Sequence, residues 1–466
     1  MLSLNCTNGY FELELYFGGD IMKVIIIGGN AAGMSAASKL KRLKPDTDVI
    51  VFEKSTDVSY GACSMPYNIS DDNRVIDDLV IRTADVFIEK NKIDLRVNHE
   101  VTEILVKDKS VRVLDSDGNS FLQEYDKLVI ATGSSPIIPG GEGFGLPGVY
   151  YLKTLEDGRR LKAVINDVKR AVIVGMGYIG LEMAESLRSK GIEVEMVEAA
   201  PKTQPWFSSE ISEKIEEQLN NHEVKFHLDT AVTGIVENDK GLKVICGDLE
   251  IDTEIVIVAI GTIPSSKLAE NAGIVMGPKK SIAVNHSMQT SAPDIYSAGD
   301  CADSFDTVTG ERVLVPLALR ANRGGWAVAD HIAGKDVNLS GITSTAVFRV
   351  FDLEVARVGI NSEEAVKAGF SPEEVTVKSG SRAHAFPGAS KIFVTMVGDR
   401  ETGQLLGVQM AGEEGAAHRI NAGAVALHAK LTVEDFAQSD LAYAPPFGPS
   451  WDPLLVAANQ LVKKLK

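Results

Sequence analysis

Short, unbroken apolar runs that end on glycine or on an acid recur along much of the chain. Lys23-Val24-Ile25-Ile26-Ile27 runs straight into Gly28-Gly29-Asn30-Ala31-Ala32-Gly33. The small and apolar residues from Met34 to Leu43 predict a helix. Asp48-Val49-Ile50-Val51-Phe52 predicts a second strand, closing on Glu53-Lys54. Strands apolar on both faces belong to parallel sheets covered on both sides. A strand, a glycine-rich turn, a helix and a strand ending in an acid form a dinucleotide-binding βαβ unit.

The pattern returns further on. Ala171-Val172-Ile173-Val174 leads into Gly175-Met176-Gly177-Tyr178-Ile179-Gly180, a helix is predicted to Ser189, and Glu193–Val197 ends on Glu198. This second fingerprint is complete. Gly175 serves the tight turn, Gly177 admits a pyrophosphate to the backbone, and Gly180 lets helix and strand pack closely. Glu198 stands where an acid accepts the hydroxyls of a ribose and repels a 2′-phosphate, which favours NADH over NADPH; Lys202 lies close by. The first fingerprint departs from the rule, with Asn30 in the middle glycine's place. From about Thr345 the texture changes to alternating strand-like stretches, an amphipathic helix and a closing apolar helix around Leu454, an α+β pattern. The reading is therefore α/β, with two Rossmann-like units and a C-terminal α+β domain. The expected division is 22–140 with 267–340, then 141–266, then 345–466. Residues 1–21 stand apart as an N-terminal extension without a motif, either a tail or a start-site artefact ahead of Met22.

Composition narrows the function. The chain has 466 residues, 44% of them hydrophobic, enough for several cores. Its formal charge of −17 disfavours nucleic acid and anionic membranes as partners. The 4 cysteines form no CxxC pair and no metal-ligand spacing. That fits a reducing, cytoplasmic setting. No apolar run reaches membrane-spanning length, and the first basic residue is Lys23, so a signal-peptide n-region is absent.

One cysteine stands out. In Tyr60-Gly61-Ala62-Cys63-Ser64-Met65-Pro66-Tyr67 a proline follows Cys63 at the spacing of a helix's first turn. A helix N-terminus there would favour a thiolate. No second cysteine follows nearby, so Cys63 has to act as a single redox thiol. Cys246 and Cys301 read as packing residues, and Cys6 falls in the extension. Tyr125–Gly133 and Asp294–Asp300 each read as a strand entering a small-residue turn. In flavoproteins with two dinucleotide sites such turns approach FAD.

The segments VFEKSTDVSYGACSMPY, ATGSSPIIPG, GMGYIGLE, DIYSAGDCAD, VPLALRANRGG, EEGAAHRI and AYAPPFG occur in that order. From Met22 onward the chain resembles the class III pyridine nucleotide-disulfide oxidoreductases: coenzyme A disulfide reductases, coenzyme A-dependent persulfide and polysulfide (sulfur) reductases, and related NADH oxidases. The resemblance implies a homodimeric NAD(P)H enzyme with FAD, acting on a small sulfur or thiol substrate. Cys63 is then the redox cysteine that pairs with coenzyme A or accepts sulfane sulfur. Glu53, Lys54, Thr132, Gly133 and Asp300 would meet FAD, and Pro316-Leu317-Ala318 would border its isoalloxazine. Gly28, Asn30, Ala31, Ala32, Gly33, Val101 and Ala131 join the cofactor-binding set, as do Tyr178, Ile179 and Gly261. Ser35, Lys39, Arg42 and Ser59 match a coenzyme A channel, and Tyr443 matches a tyrosine supplied by the partner subunit as a proton donor. Two departures weigh against strict disulfide reduction. Ala62 stands where an asparagine is frequent, and His384-Ala385-Phe386-Pro387-Gly388 lacks the paired tyrosines. Some members carry a fused rhodanese domain. With none recognisable here, sulfur is expected from solution or from another protein.

Overall fold

The computed structural model describes residues 21–466, together with the backbone of two short paired strands, Ser3–Thr7 and Tyr10–Glu14. The extension's remaining residues and the side chain of Cys6 lie outside the described residues.

Two five-stranded parallel sheets share one order over four strands and differ in the edge strand, which comes last along the chain in the first and first in the second. The first runs, in spatial order, Ile295–Ser297, Lys127–Ile130, Lys23–Ile27, Asp48–Phe52 and Asp94–Arg96. The second runs Val149–Tyr150, Ile255–Val258, Arg170–Val174, Glu193–Val197 and Lys225–His227. Each is accompanied by a three-stranded antiparallel sheet, at 100–124 and 234–253. Ile25 and Ile26, side by side on the first strand, are both fully buried. That is the outcome expected of a strand covered on both faces, and each such side chain contributes about 1.5–3 kcal/mol.

Four helices set the stage for the site: α1 (Ala31–Leu43), α2 (Met65–Ser70), α3 (Leu155–Val164) and α4 (Tyr178–Ser189). Helix α1 packs along the helix Ala318–Ile332, where a Cβ on Gly325 would lie 2.3 Å from the Ala32 carbonyl oxygen. The C-terminal region forms one antiparallel sheet ordered Ala346–Val350, Leu353–Gly359, Leu405–Gly412, Lys391–Asp399 and Pro372–Gly380. The helices Ala416–His428 and Pro453–Leu465 cover it. The strand-like stretches expected beyond Thr345 and the closing helix around Leu454 appear as these elements.

This region grips the second nucleotide unit. Tyr178 stacks on Phe348 with ring centroids 4.7 Å apart, and Ser208 N donates to Gln409 Oε1 at 2.7 Å. Among the described residues no helix is long and apolar enough to cross a membrane.

Candidate active site

Both glycine turns have the geometry their spacing predicts. Gly28 takes φ +112° and Gly175 φ +100°, in the left-handed half of backbone space. A Cβ would lie 2.2 Å from the Ala131 carbonyl oxygen at the first and 2.7 Å from that of Ala259 at the second. Only glycine satisfies both constraints. Each strand-end acid then ties its own turn: Glu53 Oε2 accepts from Gly29 N at 2.7 Å and Glu198 Oε2 from Met176 N at 2.8 Å. The other oxygen of each accepts a second backbone N–H, from Ser55 and Ala200, both at 2.8 Å. Ser55 Oγ gives Glu53 Oε1 a third bond, at 2.8 Å. Ionised carboxylates accept about four hydrogen bonds, so Glu198 retains capacity for both hydroxyls of a ribose and Glu53 for one.

Asn30 explains the broken first fingerprint. Its backbone, at φ −107° and ψ −153°, is open to any residue, and it serves as the N-cap position of α1. Its Oδ1 accepts from Tyr60 N at 3.2 Å, holding the loop that leads to Cys63. A glycine there could not do so. Ser59, one residue earlier, is held at φ +48°, which costs about 1 kcal/mol for a residue with a Cβ. Its carbonyl accepts from Ile81 N at 2.8 Å.

A single cavity of about 2140 Å³ connects these parts, well above the 300–1,000 Å³ of an ordinary small-molecule pocket. Cys63 lines it, together with Asn30, Ala31, Gly175, Gly177, Tyr178, Ile179, Glu198, Gly261 and Asp300. So do the Pro316-Leu317-Ala318 turn and three of the four channel residues, Ser35, Arg42 and Ser59. The others divide by position. Gly28, Ala32, Gly33, Gly180, Ala131, Thr132 and Gly133 are not lining residues, nor are Glu53 and Lys54. Gly33 and Gly180 are packing positions, where a Cβ would lie 1.9 and 2.1 Å from the carbonyl oxygens of Gly28 and Gly175. Thr132 Oγ1 donates to the Ser265 carbonyl at 2.6 Å. Val101 is buried in a strand core, leaving only its backbone for a ligand.

Two expectations meet a different arrangement. Lys39 does not line the cavity: its ammonium pairs with Asp330 at 2.5 Å and lies 5.3 Å from the Trp326 ring centre. Tyr443 sits on an exposed loop of the C-terminal region and is not brought to Cys63 within one chain.

The electrostatics of Cys63 also need correction. It stands on a short 3₁₀ turn, Ala62–Ser64, ahead of a helix of only 6 residues. The thiol is exposed and lines the cavity. Desolvation pushes its pKa up, the charges of Glu182 and Asp300 add to this, and Lys153 opposes them. Burial and two carboxylates outweigh Lys153 and one short turn of dipole, so the protein favours the thiol over the expected thiolate.

Four lining residues outside the sequence expectations bear on the chemistry here. Lys153 Nζ meets Asp300 Oδ2 at 3.0 Å, beside Cys63. Glu182 Oε1 accepts from Tyr67 OH at 2.9 Å; burial and neighbouring Glu185 push its carboxyl up to about 7. Tyr60, pushed up to about 12 by burial and by Glu53 and Asp57, stays a neutral donor. Arg82 joins Arg42, and neither has a carboxylate partner among the described residues. Glu182 falls on the inward face of α4 and was legible there as a carboxyl among apolar neighbours. Lys153 carried no signal.

The sequence profile of the pyridine nucleotide-disulphide oxidoreductases matches residues 22–323, and that of their dimerisation domain matches 345–453. The chain belongs to this family. An NAD(P)H sulfur oxidoreductase (CoA-dependent) from Pyrococcus abyssi is 41% identical over 94% of this chain and 98% of its own length. An NADH oxidase from Methanocaldococcus jannaschii is 35% identical over 95% of this chain and 99% of its own. The solved NAD-dependent persulfide reductase from A. fulgidus superposes with a TM-score of 0.92 at 33% identity, covering 95% of this chain and 83% of that one. As in any pyridine nucleotide-disulphide oxidoreductase, the cavity has to take two dinucleotides. Its volume and the two glycine cradles fit them, and so does Gly177. That residue has an ordinary φ of −71° and only the Ala259 carbonyl oxygen, 3.9 Å away, near its missing Cβ. Its bareness leaves room for a ligand rather than for the fold.

Proposed function

We propose that the chain is an FAD-containing NADH oxidoreductase that delivers electrons through Cys63 to sulfane sulfur or to a disulfide: coenzyme A persulfide, polysulfide or coenzyme A disulfide. The observation that carries this reading is the opening of Cys63 into the cavity that joins the two nucleotide cradles. The names of the 41% and 33% identical relatives support it.

FAD, when bound, takes a hydride from NADH and supplies the electron pair that reduces sulfur. The remaining work belongs to the chain. Glu198 receives the NADH ribose, while Glu53 and the Gly28 turn receive the adenosine of FAD; Asp300 and the Pro316–Ala318 turn serve its other end. Lys54, exposed at the close of that strand, joins Glu53 there. Cys63 Sγ attacks the substrate's S–S bond, forming a protein-bound disulfide or persulfide and releasing the first thiol. Two electrons and a proton then free the second product and restore Cys63. Lys153 offsets charge as the thiolate forms, and Arg42, Arg82, Ser35 and Ser59 receive a phosphate-bearing carrier such as coenzyme A. Lys39, paired with Asp330, contributes at the rim after that pair opens.

A second copy of the chain supports the same chemistry. Tyr443, Phe447 and Trp451 leave large ring surfaces open on one loop, and the match to a dimerisation domain makes a partner subunit their natural cover. Tyr443 then donates a proton at the partner's Cys63. The cytoplasm, with its reduced thiols, is the compartment this chemistry suits.

The resemblance to a relative named NADH oxidase supports a second reading, in which Cys63 cycles through a sulfenic acid and oxygen is reduced. Comparing NADH consumption with polysulfide, coenzyme A disulfide and oxygen separates the two. The proposed function requires a sulfur acceptor to win, and oxygen alone sustaining turnover overturns it.

Two substitutions test the surroundings. Arg42→Ala should raise KM for coenzyme A disulfide by about tenfold or more, the worth of one charged hydrogen bond, with flavin reduction by NADH unchanged. Glu182→Gln should lower the apparent pKa of Cys63, read from the pH dependence of its alkylation, because it removes the carboxylate that forms as pH rises through about 7. An unchanged or higher thiol pKa excludes that coupling.

A further inference from the structure

The segment that carries Cys63 is short and cannot hold itself. Helix α2 has 6 residues, far below the length at which an isolated helix persists. Its position is imposed by neighbours, and these come from the other half of the repeat. Helix α4 supplies one wall: Ser186 Oγ donates to the Pro66 carbonyl at 2.7 Å, in a buried contact. Helix α3 supplies the other.

Lys162 on α3 reaches the C-terminal end of α2. Its ammonium donates to the carbonyl of Asn68, to Asn68 Oδ1 at 2.8 Å and to the Asp71 carbonyl at 2.8 Å. Those three bonds use all three of its protons. No carboxylate lies within ion-pairing distance of it among the described residues, so the charge is held by carbonyl oxygens at the negative end of a helix. Burial pulls the ammonium's pKa down, against Asp71 and Asp72, which support it. Asn68 is itself 2% exposed and passes its Nδ2 to the Val75 carbonyl at 2.9 Å. One turn earlier on α3, Arg159 makes a two-bond contact with Asp57 at 2.8 and 2.7 Å, upstream of Cys63. On the same face as Lys162, four residues earlier, a Cβ on Gly158 would lie 3.2 Å from Met65 Sδ.

We propose that Lys162 is a positioning residue for Cys63: by fastening the far end of α2 it sets where the sulfur stands in the cavity. The inference rests on Cys63 being the redox thiol. A solvated surface lysine would not spend every proton on buried or half-buried oxygens.

The test uses the FAD-loaded full chain and the variants Lys162→Met and Lys162→Arg. Three rates are read: iodoacetamide alkylation of Cys63, followed by peptide mass spectrometry; anaerobic flavin bleaching by NADH; and turnover of coenzyme A disulfide. In Lys162→Met, a loosened α2 rehydrates the thiol. Alkylation should accelerate and turnover should fall, each by about tenfold, while flavin bleaching stays within about twofold. Lys162→Arg keeps the charge and should reverse most of both changes. Wild-type alkylation in Lys162→Met, or flavin bleaching that falls in step with turnover, overturns the proposal. If Lys162→Met does not retain FAD, Lys162→Gln is judged by the same ratios. Absence of sulfur turnover in the wild-type protein sinks the proposed function instead, and the alkylation ratio still decides the role of Lys162.

Discussion

Cys63→Ser should leave FAD binding and anaerobic flavin reduction by NADH intact, yet lower turnover with polysulfide or coenzyme A disulfide by about a thousandfold or more. The physical reason is the nucleophile. A serine hydroxyl is scarcely ionised where a thiol is partly so, and it forms no bond that a flavin can reduce. Of the three described cysteines only Cys63 is exposed; Cys246 and Cys301 are buried in sheet and turn cores. Neither can substitute for it. Stopped-flow bleaching followed by reoxidation separates the halves, and equal reoxidation in the variant removes Cys63 from the mechanism.

The second large effect concerns Glu198. Glu198→Ala removes the tie to Met176 N and Ala200 N that shapes the turn and, on the proposed function, the acceptor for the NADH ribose. Hydrogen bonds to a charged group are worth about 1.5–3 kcal/mol each, so KM for NADH should rise by about a hundredfold. The NADPH value should change less, because the same substitution also removes a repulsive charge from the 2′-phosphate. The ratio of kcat/KM for the two nucleotides is therefore the sensitive readout. A ratio that stays constant while both fall would assign Glu198 to the fold alone.

Much of this arrangement was legible in the sequence because it depends on neighbours along the chain. Strands at Lys23–Ile27 and Asp48–Phe52 follow from unbroken apolar runs and Glu193–Val197 from the recurrence of the βαβ pattern, and the observed elements have the same limits. The two glycine turns follow from a backbone that only glycine adopts. Asn30 was read as a departure because its value lies in a bond to Tyr60, which no local rule contains.

The features that the sequence did not carry depend on distant partners. Lys39 sits one turn from Ser35, so helical spacing puts both on one face, but Asp330 claims its ammonium. A helix start behind Cys63 suggested a thiolate; burial of the thiol reverses the balance, with Glu182 and Asp300 adding to it from remote segments. Lys153 and Lys162 carried no signal at all, since each matters only through the oxygens it meets. Tyr443 is incomplete within one chain, and its role waits on a second copy.

The account stands on sulfur chemistry at one atom, and a mass measurement addresses it directly. The FAD-loaded protein, reduced anaerobically with NADH and quenched shortly after mixing with coenzyme A disulfide, is digested and the Cys63 peptide weighed. The account predicts a coenzyme A adduct on Cys63 that excess NADH then removes. An unmodified Cys63 peptide throughout continuous turnover contradicts it.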